Sequence, residues 1–111
     1  MQKIAIPVTN GKLAQHFGHC QEFWVYFIEN AVIGKKETHT PPPHKPGVYP
    51  KWLHSMGVTD VITGGIGQRA IQIFNDNEIN VYTGAPIKDP ETIIHEYWNG
   101  ALQLTENKCS H

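Results

Sequence analysis

The sequence predicts an α/β domain: a mixed five-stranded sheet with three helices packed on it, in the order βββαβαβα. Three observations lead there. The first forty residues read as apolar runs separated by turn residues, with no helical periodicity. From Val48 onward, apolar runs of strand length alternate with stretches whose apolar residues recur at helical spacing. Finally, Asp60-Val-Ile-Thr-Gly-Gly-Ile-Gly-Gln-Arg-Ala70 passes from a short apolar run through a glycine turn into a helical pattern at Ala70, Ile71 and Phe74. An antiparallel meander followed by two right-handed crossovers into parallel strands satisfies all three.

Each element has its own signal. Gln2 to Val8 puts Ile4, Ile6 and Val8 on one face and Ala5 on the other, and stops at Thr9-Asn10-Gly11. Lys12 to Gln21 reads as a loop. Glu22 to Glu29 is apolar on both faces, which suits an interior strand. Glu29-Asn30 turns into Ala31 to Thr40, whose polar second half suits an edge strand. Thr40-Pro-Pro-Pro-His-Lys-Pro-Gly47 carries four prolines without N–H donors and reads as a stiff extended loop. Val48, Trp52, Leu53 and Met56 line one face of a first helix, stopped by Gly57. The strand Val58 to Thr63, the glycine turn, a helix from about Gly67 to Phe74 and the strand Ile79 to Thr83 follow. Asp89-Pro90 starts the third helix with an acidic cap and a proline at its first position. Ile93, Ile94, Tyr97, Trp98 and Leu102 form its apolar face, with Gly100 as the stop; Trp24, Trp52 and Trp98 all read as core.

Length and charge narrow the function. With 111 residues the chain reads as a single domain over 1–104 with a polar tail over 105–111. Nine Lys and Arg against ten Asp and Glu, scattered, form no basic stripe, so nucleic acid is not an expected partner. The longest apolar stretch is too short for a membrane span, and the N-terminus runs straight into a strand, so a cytoplasmic protein is expected. The two cysteines, Cys20 and Cys109, read as free thiols. Seven histidines are a compositional excess that hints at metal chemistry.

The candidate ligands gather in few places. His16-Phe-Gly-His-Cys20 holds three ligand-type side chains within five positions, and Gly18 lets the backbone bend so that they converge. The proline-rich loop carries His44 and, with His39 just before it, holds the two at a nearly fixed separation; Cys109 and His111 could fold back to complete a site. Gly64, Gly65 and Gly67, with Ile66 between them, remove the Cβ atoms that would keep a ligand off the backbone, and the free N–H groups of the following helix start offer a place for an anion or an anionic cluster, with which Arg69 could pair. From Gly65 the turn also matches the dinucleotide pattern G-x-G-x-x-A. That reading lacks its acidic residue, because the next strand ends in Tyr82-Thr83-Gly84.

These motifs together resemble a known family. His16-Phe17-Gly18, the edge hairpin, Gly57-Val58 leading to Val61-Ile-Thr-Gly-Gly-Ile-Gly67, and Val81-Tyr-Thr-Gly-Ala85 are similar to the dinitrogenase iron-molybdenum cofactor biosynthesis family, which includes NifX, NafY and the C-terminal part of NifB. The resemblance spans nearly the whole chain. It implies a ribonuclease H-like fold and non-catalytic binding or carriage of an iron-sulfur or molybdenum-containing cofactor, with His16 and the Gly64 to Gly67 turn as the matching site positions. It also implies a metallocofactor as partner, together with a delivery or acceptor protein. His19 and Cys20 depart from the family's usual Arg or Ser followed by Ala, and the added imidazole and thiol could favour zinc or another simple ion. Nuclease chemistry on such a fold would need several carboxylates at strand ends, where only Glu29 stands. The expected function is therefore a carrier, not an enzyme; the alternatives are a phosphate or nucleotide binder and a metal-free regulatory module.

Overall fold

The first strand, β1 (Gln2–Thr9), is the hub of the sheet. It pairs antiparallel with the two-residue β2 (Lys12–Leu13) and with β3 (Glu22–Glu29), and parallel with β5 (Asp60–Ile62). In the computed structural model, which describes residues 1–107, β4 (Val32–His39) pairs antiparallel with β3 and β6 (Asn80–Tyr82) pairs parallel with β5. The strand order is β4-β3-β1-β5-β6, with β2 beside β1 off this path. The meander and the two parallel crossovers are thus as the sequence predicts. The addition is β2: Asn10 and Gly11 take positive φ, so the chain reverses at once and pairs Lys12 and Leu13 back onto β1. A second tight reversal at Asn30 and Ala31, both at positive φ, returns β3 into β4.

The alternation in β1 sorts the core into two layers. Ile4, Ile6 and Val8 face one side, with Ile62 and with Ile93 and Ile94 of α3 (Pro90–Trp98). Ala5 faces the other, with Phe23, Val25 and Val61, under Leu53 of α1 (Val48–Ser55) and Phe74 of α2 (Gln68–Asp76). Burying each such side chain contributes about 1.5–3 kcal/mol against the chain entropy lost. The α3 start is built as its residues suggest: the Asp89 carboxylate accepts the Thr92 N–H at 3.0 Å. Trp98 is not core. It is 39% exposed at the last residue of α3, while its neighbour Tyr97 turns inward against Tyr82.

Two strands are shorter than the apolar runs suggest. Val58 donates its N–H to the Leu53 carbonyl and so belongs to the exit of α1; β5 begins at Asp60, whose buried carboxylate accepts from Thr59, Gln2 and Asn80 side chains. At the other end, Thr63 is the last residue to lean on β6 before the glycine turn, with its N–H on the Tyr82 carbonyl. No helix of the described residues is long and apolar enough to cross a membrane.

Candidate functional site

The His16 loop and the glycine turn share one rim. Gly65 donates its N–H to the Gln15 carbonyl at 2.7 Å, and Phe17 donates to the Gly65 carbonyl at 2.8 Å, which bridges His16 and Gly65 in parallel. Phe17 is the plug that fixes this loop. Its ring is 4% exposed and packs edge-on against Phe74 at 5.6 Å and tilted against Phe23 at 5.4 Å. With Phe17 committed inward, the single turn Phe17–His19 leaves His16 and His19 at the surface, ring centroids 5.9 Å apart. The proline-rich loop brings His44 to the same turn. These segments and the start of α2 enclose a cleft of about 480 Å³, lined also by Lys45, Tyr49 and Arg69. That volume suits a small ligand. Among the described residues that line it there are three imidazoles, one ammonium and one guanidinium, and no carboxylate.

The glycine turn is only partly available to a ligand. A Cβ on Gly64 would stand 2.7 Å from the Gln15 carbonyl oxygen and 3.1 Å from that of Ala14, so this glycine makes room for the chain's own backbone. The Gly65 N–H is taken by Gln15. Both backbone groups of Ile66 are taken by one side chain: Asn107 accepts the Ile66 N–H at 3.0 Å and donates to its carbonyl at 2.8 Å. The Gly65 and Ile66 amides are therefore bonded within the chain, which leaves the N–H groups at the start of α2 as the donors that an anion could meet. What stays open begins at Gly67, which caps α2 without a side-chain bond and where an added Cβ would meet no atom of the described residues within 4 Å. Arg69 follows in the first turn and is exposed on the cleft.

The other expected ligands separate. Cys20 turns away from the rim into the apolar layer with Phe17, Phe23 and Tyr49, and burial pushes its thiol up to about 12, backbone hydrogen bonds offsetting only part of that. A thiol held this way is protonated at neutral pH and is not a ready metal ligand, which corrects the convergence expected of His16, His19 and Cys20. Spacing could not reveal this, because Phe17 and Cys20 lie one short turn apart and both face the core. His39 stands at the end of β4, with Glu37 at 3.1 Å and Trp52 against its ring, outside the cleft lining. Cys109 and His111 lie outside the described residues. Among the described residues no three His, Cys, Asp or Glu side chains converge to hold a bare metal ion.

Four residues at or beside the site carry no signal that the sequence reading used. Lys45 comes with His44 on the stiff loop. Tyr49 supplies the wall behind His44, at the buried end of α1. Asn107 and Thr105 fasten the polar end of the chain to the body: Thr105 donates its N–H to the Gly84 carbonyl at 2.9 Å. The tail expected over 105–111 is therefore seated at least as far as Asn107.

Comparison with known proteins gives the arrangement its context. The family profile described as dinitrogenase iron-molybdenum cofactor matches residues 1–100. An uncharacterised protein of Methanocaldococcus jannaschii is 37% identical over 87 residues, covering 74% of each chain. The crystal structure of PH0822 superimposes with a TM-score of 0.87 at 29% identity, over 93% of this chain and 94% of that one. The apo form of the orange protein from Desulfovibrio gigas has the same fold, with a TM-score of 0.75 at 20% identity over 96% and 95% of the two chains.

Proposed function

Because the chain belongs to the dinitrogenase iron-molybdenum cofactor family, we propose that it binds and carries an anionic metal-sulfur centre in the cleft between the His16 loop and the start of α2. The single observation that carries this reading is the chemistry of the lining: His16, His19 and His44 with Lys45 and Arg69, and no carboxylate among the described lining residues. Imidazoles can ligate iron, molybdenum or another metal at the edge of a cluster, while the two cationic side chains offset its negative charge. A bare divalent cation would gain from the imidazoles and lose to the cations, so an anionic cluster is the better cargo. One side of the cleft is open, as transfer to an acceptor protein requires.

Within this reading the protein is a carrier and not an enzyme, working in metallocofactor assembly in the cytoplasm. The free edge of the turn at Gly67 and the Arg69 guanidinium meet the cargo from the α2 side, with Gly64, Gly65 and Ile66 holding the turn in place. Asn107 anchors the chain to Ile66 beside the cleft, and this supports including Cys109 and His111, two and four residues further on, among the proposed ligands. His39 and Cys20 are left out on their placement.

Titration of the purified, untagged protein with tetrathiomolybdate, followed by visible absorbance, tests the proposal. Saturable one-to-one binding is expected, weakened at least tenfold in His16→Ala, as loss of a metal ligand or its orientation costs. Binding equal in the unaltered protein and in His16→Ala would remove the cleft as the site.

A further inference from the structure

We infer that Gly18 is a positioning residue for His44: the missing side chain at Gly18 is the seat of the His44 imidazole. The inference rests on the cleft reading above and assigns a role inside it. A Cβ built on Gly18 would lie 3.1 Å from His44 Nε2, 3.5 Å from Cε1 and 3.8 Å from Cδ2, so one edge of the ring lies over the Gly18 Cα. On another side the ring meets Tyr49, centroids 4.9 Å apart at 67°. Tyr49 cannot yield, being 5% exposed and pinned edge-on by Phe23 at 5.4 Å and Phe17 at 6.1 Å. The backbone that carries His44 is stiffened by Pro41, Pro42, Pro43 and Pro46.

Nothing local demands glycine at this position. Gly18 is absent from the glycines at positive φ and sits in a short helical turn that any residue can form. The expectation that Gly18 bends the loop is replaced by a different cause: room for an imidazole that arrives from 26 residues further along the chain. The consequence is that the His44 ring is seated beside the turn that carries His16 and His19 before any cargo arrives, which lowers the ordering cost of binding.

Gly18→Ala would press on a surface ring and not on backbone, so the ring moves and the fold stands. The test is a double-mutant cycle of the unaltered protein, Gly18→Ala, His44→Ala and the double variant, with tetrathiomolybdate as the probe. Gly18→Ala is expected to weaken binding about tenfold, close to the loss in His44→Ala, and the double variant to lose no more than either. Without the probe, the imidazole resonances of His44 should shift in Gly18→Ala while the backbone amide spectrum is retained. Additive losses would mean that Gly18 touches the cargo directly and would overturn the inference, as would unshifted His44 resonances. Full binding by His44→Ala alongside loss in His16→Ala would overturn it and leave the cleft reading standing. No binding by any of the four proteins would overturn the cleft reading itself.

Discussion

The two segments that build the cleft each divide into a half committed to the fold and a half facing outward. In the turn, Gly64 and Gly65 are packed and hydrogen-bonded against residues 14–17, whereas Gly67 faces open space among the described residues. In the loop, Phe17 and Cys20 enter the apolar layer, whereas His16 and His19 remain outside it. The difference teaches that a motif composed of one residue type can serve two physical purposes within four positions. A glycine that admits the chain's own backbone and a glycine that admits a ligand look alike until the neighbours are known.

Substituting the committed half should have the largest effect. Gly64→Ala sets a Cβ against two carbonyl oxygens that belong to a segment stitched to the sheet, so neither side can swing away. Overpacking of this kind costs about 3 kcal/mol. A fall of that order in unfolding free energy, measured by urea titration, is expected, with the His16–Gly65 bridge lost from amide exchange. A variant as stable as the parent would abolish the distinction between the halves.

Cys20 sharpens the same contrast through pH. Burial raises its thiol to about 12 in the folded protein, against an ordinary value near 9.0. Above pH 9 the unfolded chain therefore releases a proton that the folded chain keeps, so the unfolded state binds fewer protons and stability falls as pH rises towards 12. The slope between pH 9 and pH 10.5 is about 1 kcal/mol per pH unit, below the full single-proton limit because the unfolded thiol is only partly ionised just above its ordinary value. Stability measured between pH 9 and pH 10.5 should decline less steeply in Cys20→Ala than in the parent, both retaining Cys109. Equal slopes would place the thiol in contact with solvent and return it to the set of accessible ligands.

The layers of the fold were legible in sequence because the alternation in β1, the unbroken apolar run of β3 and the helical spacing in α1 to α3 are one-dimensional records of burial. Ile4, Ile6 and Val8 sit opposite Ala5 as their positions require. The cleft was legible in part: His16 and Gly65 do meet. Side-chain direction within the His16 to Cys20 loop was not, since no periodicity governs so short a turn and Phe17 decides it by reaching Phe74. Nor was the capture of Ile66 by Asn107, which depends on a contact between residues 41 positions apart. Trp98 failed for another reason: size and apolarity suggested core, but it is the last residue of α3 and stays partly exposed, while Tyr97 beside it takes the inward position.

The smallest effect on stability belongs to the outward half. Gly67 caps α2 at φ −71° and ψ 151°, a conformation open to any residue, and a Cβ there meets no atom of the described residues within 4 Å. Gly67→Ala should therefore change unfolding free energy by less than about 0.5 kcal/mol, the range of surface substitutions. If the turn meets a cargo here, the same methyl group stands where the cargo's edge approaches the open amides of α2, and tetrathiomolybdate binding should weaken severalfold while the fold is untouched. Loss of stability without loss of binding would reverse the roles given to the two halves of the turn, because it would make Gly67 a packing glycine like Gly64.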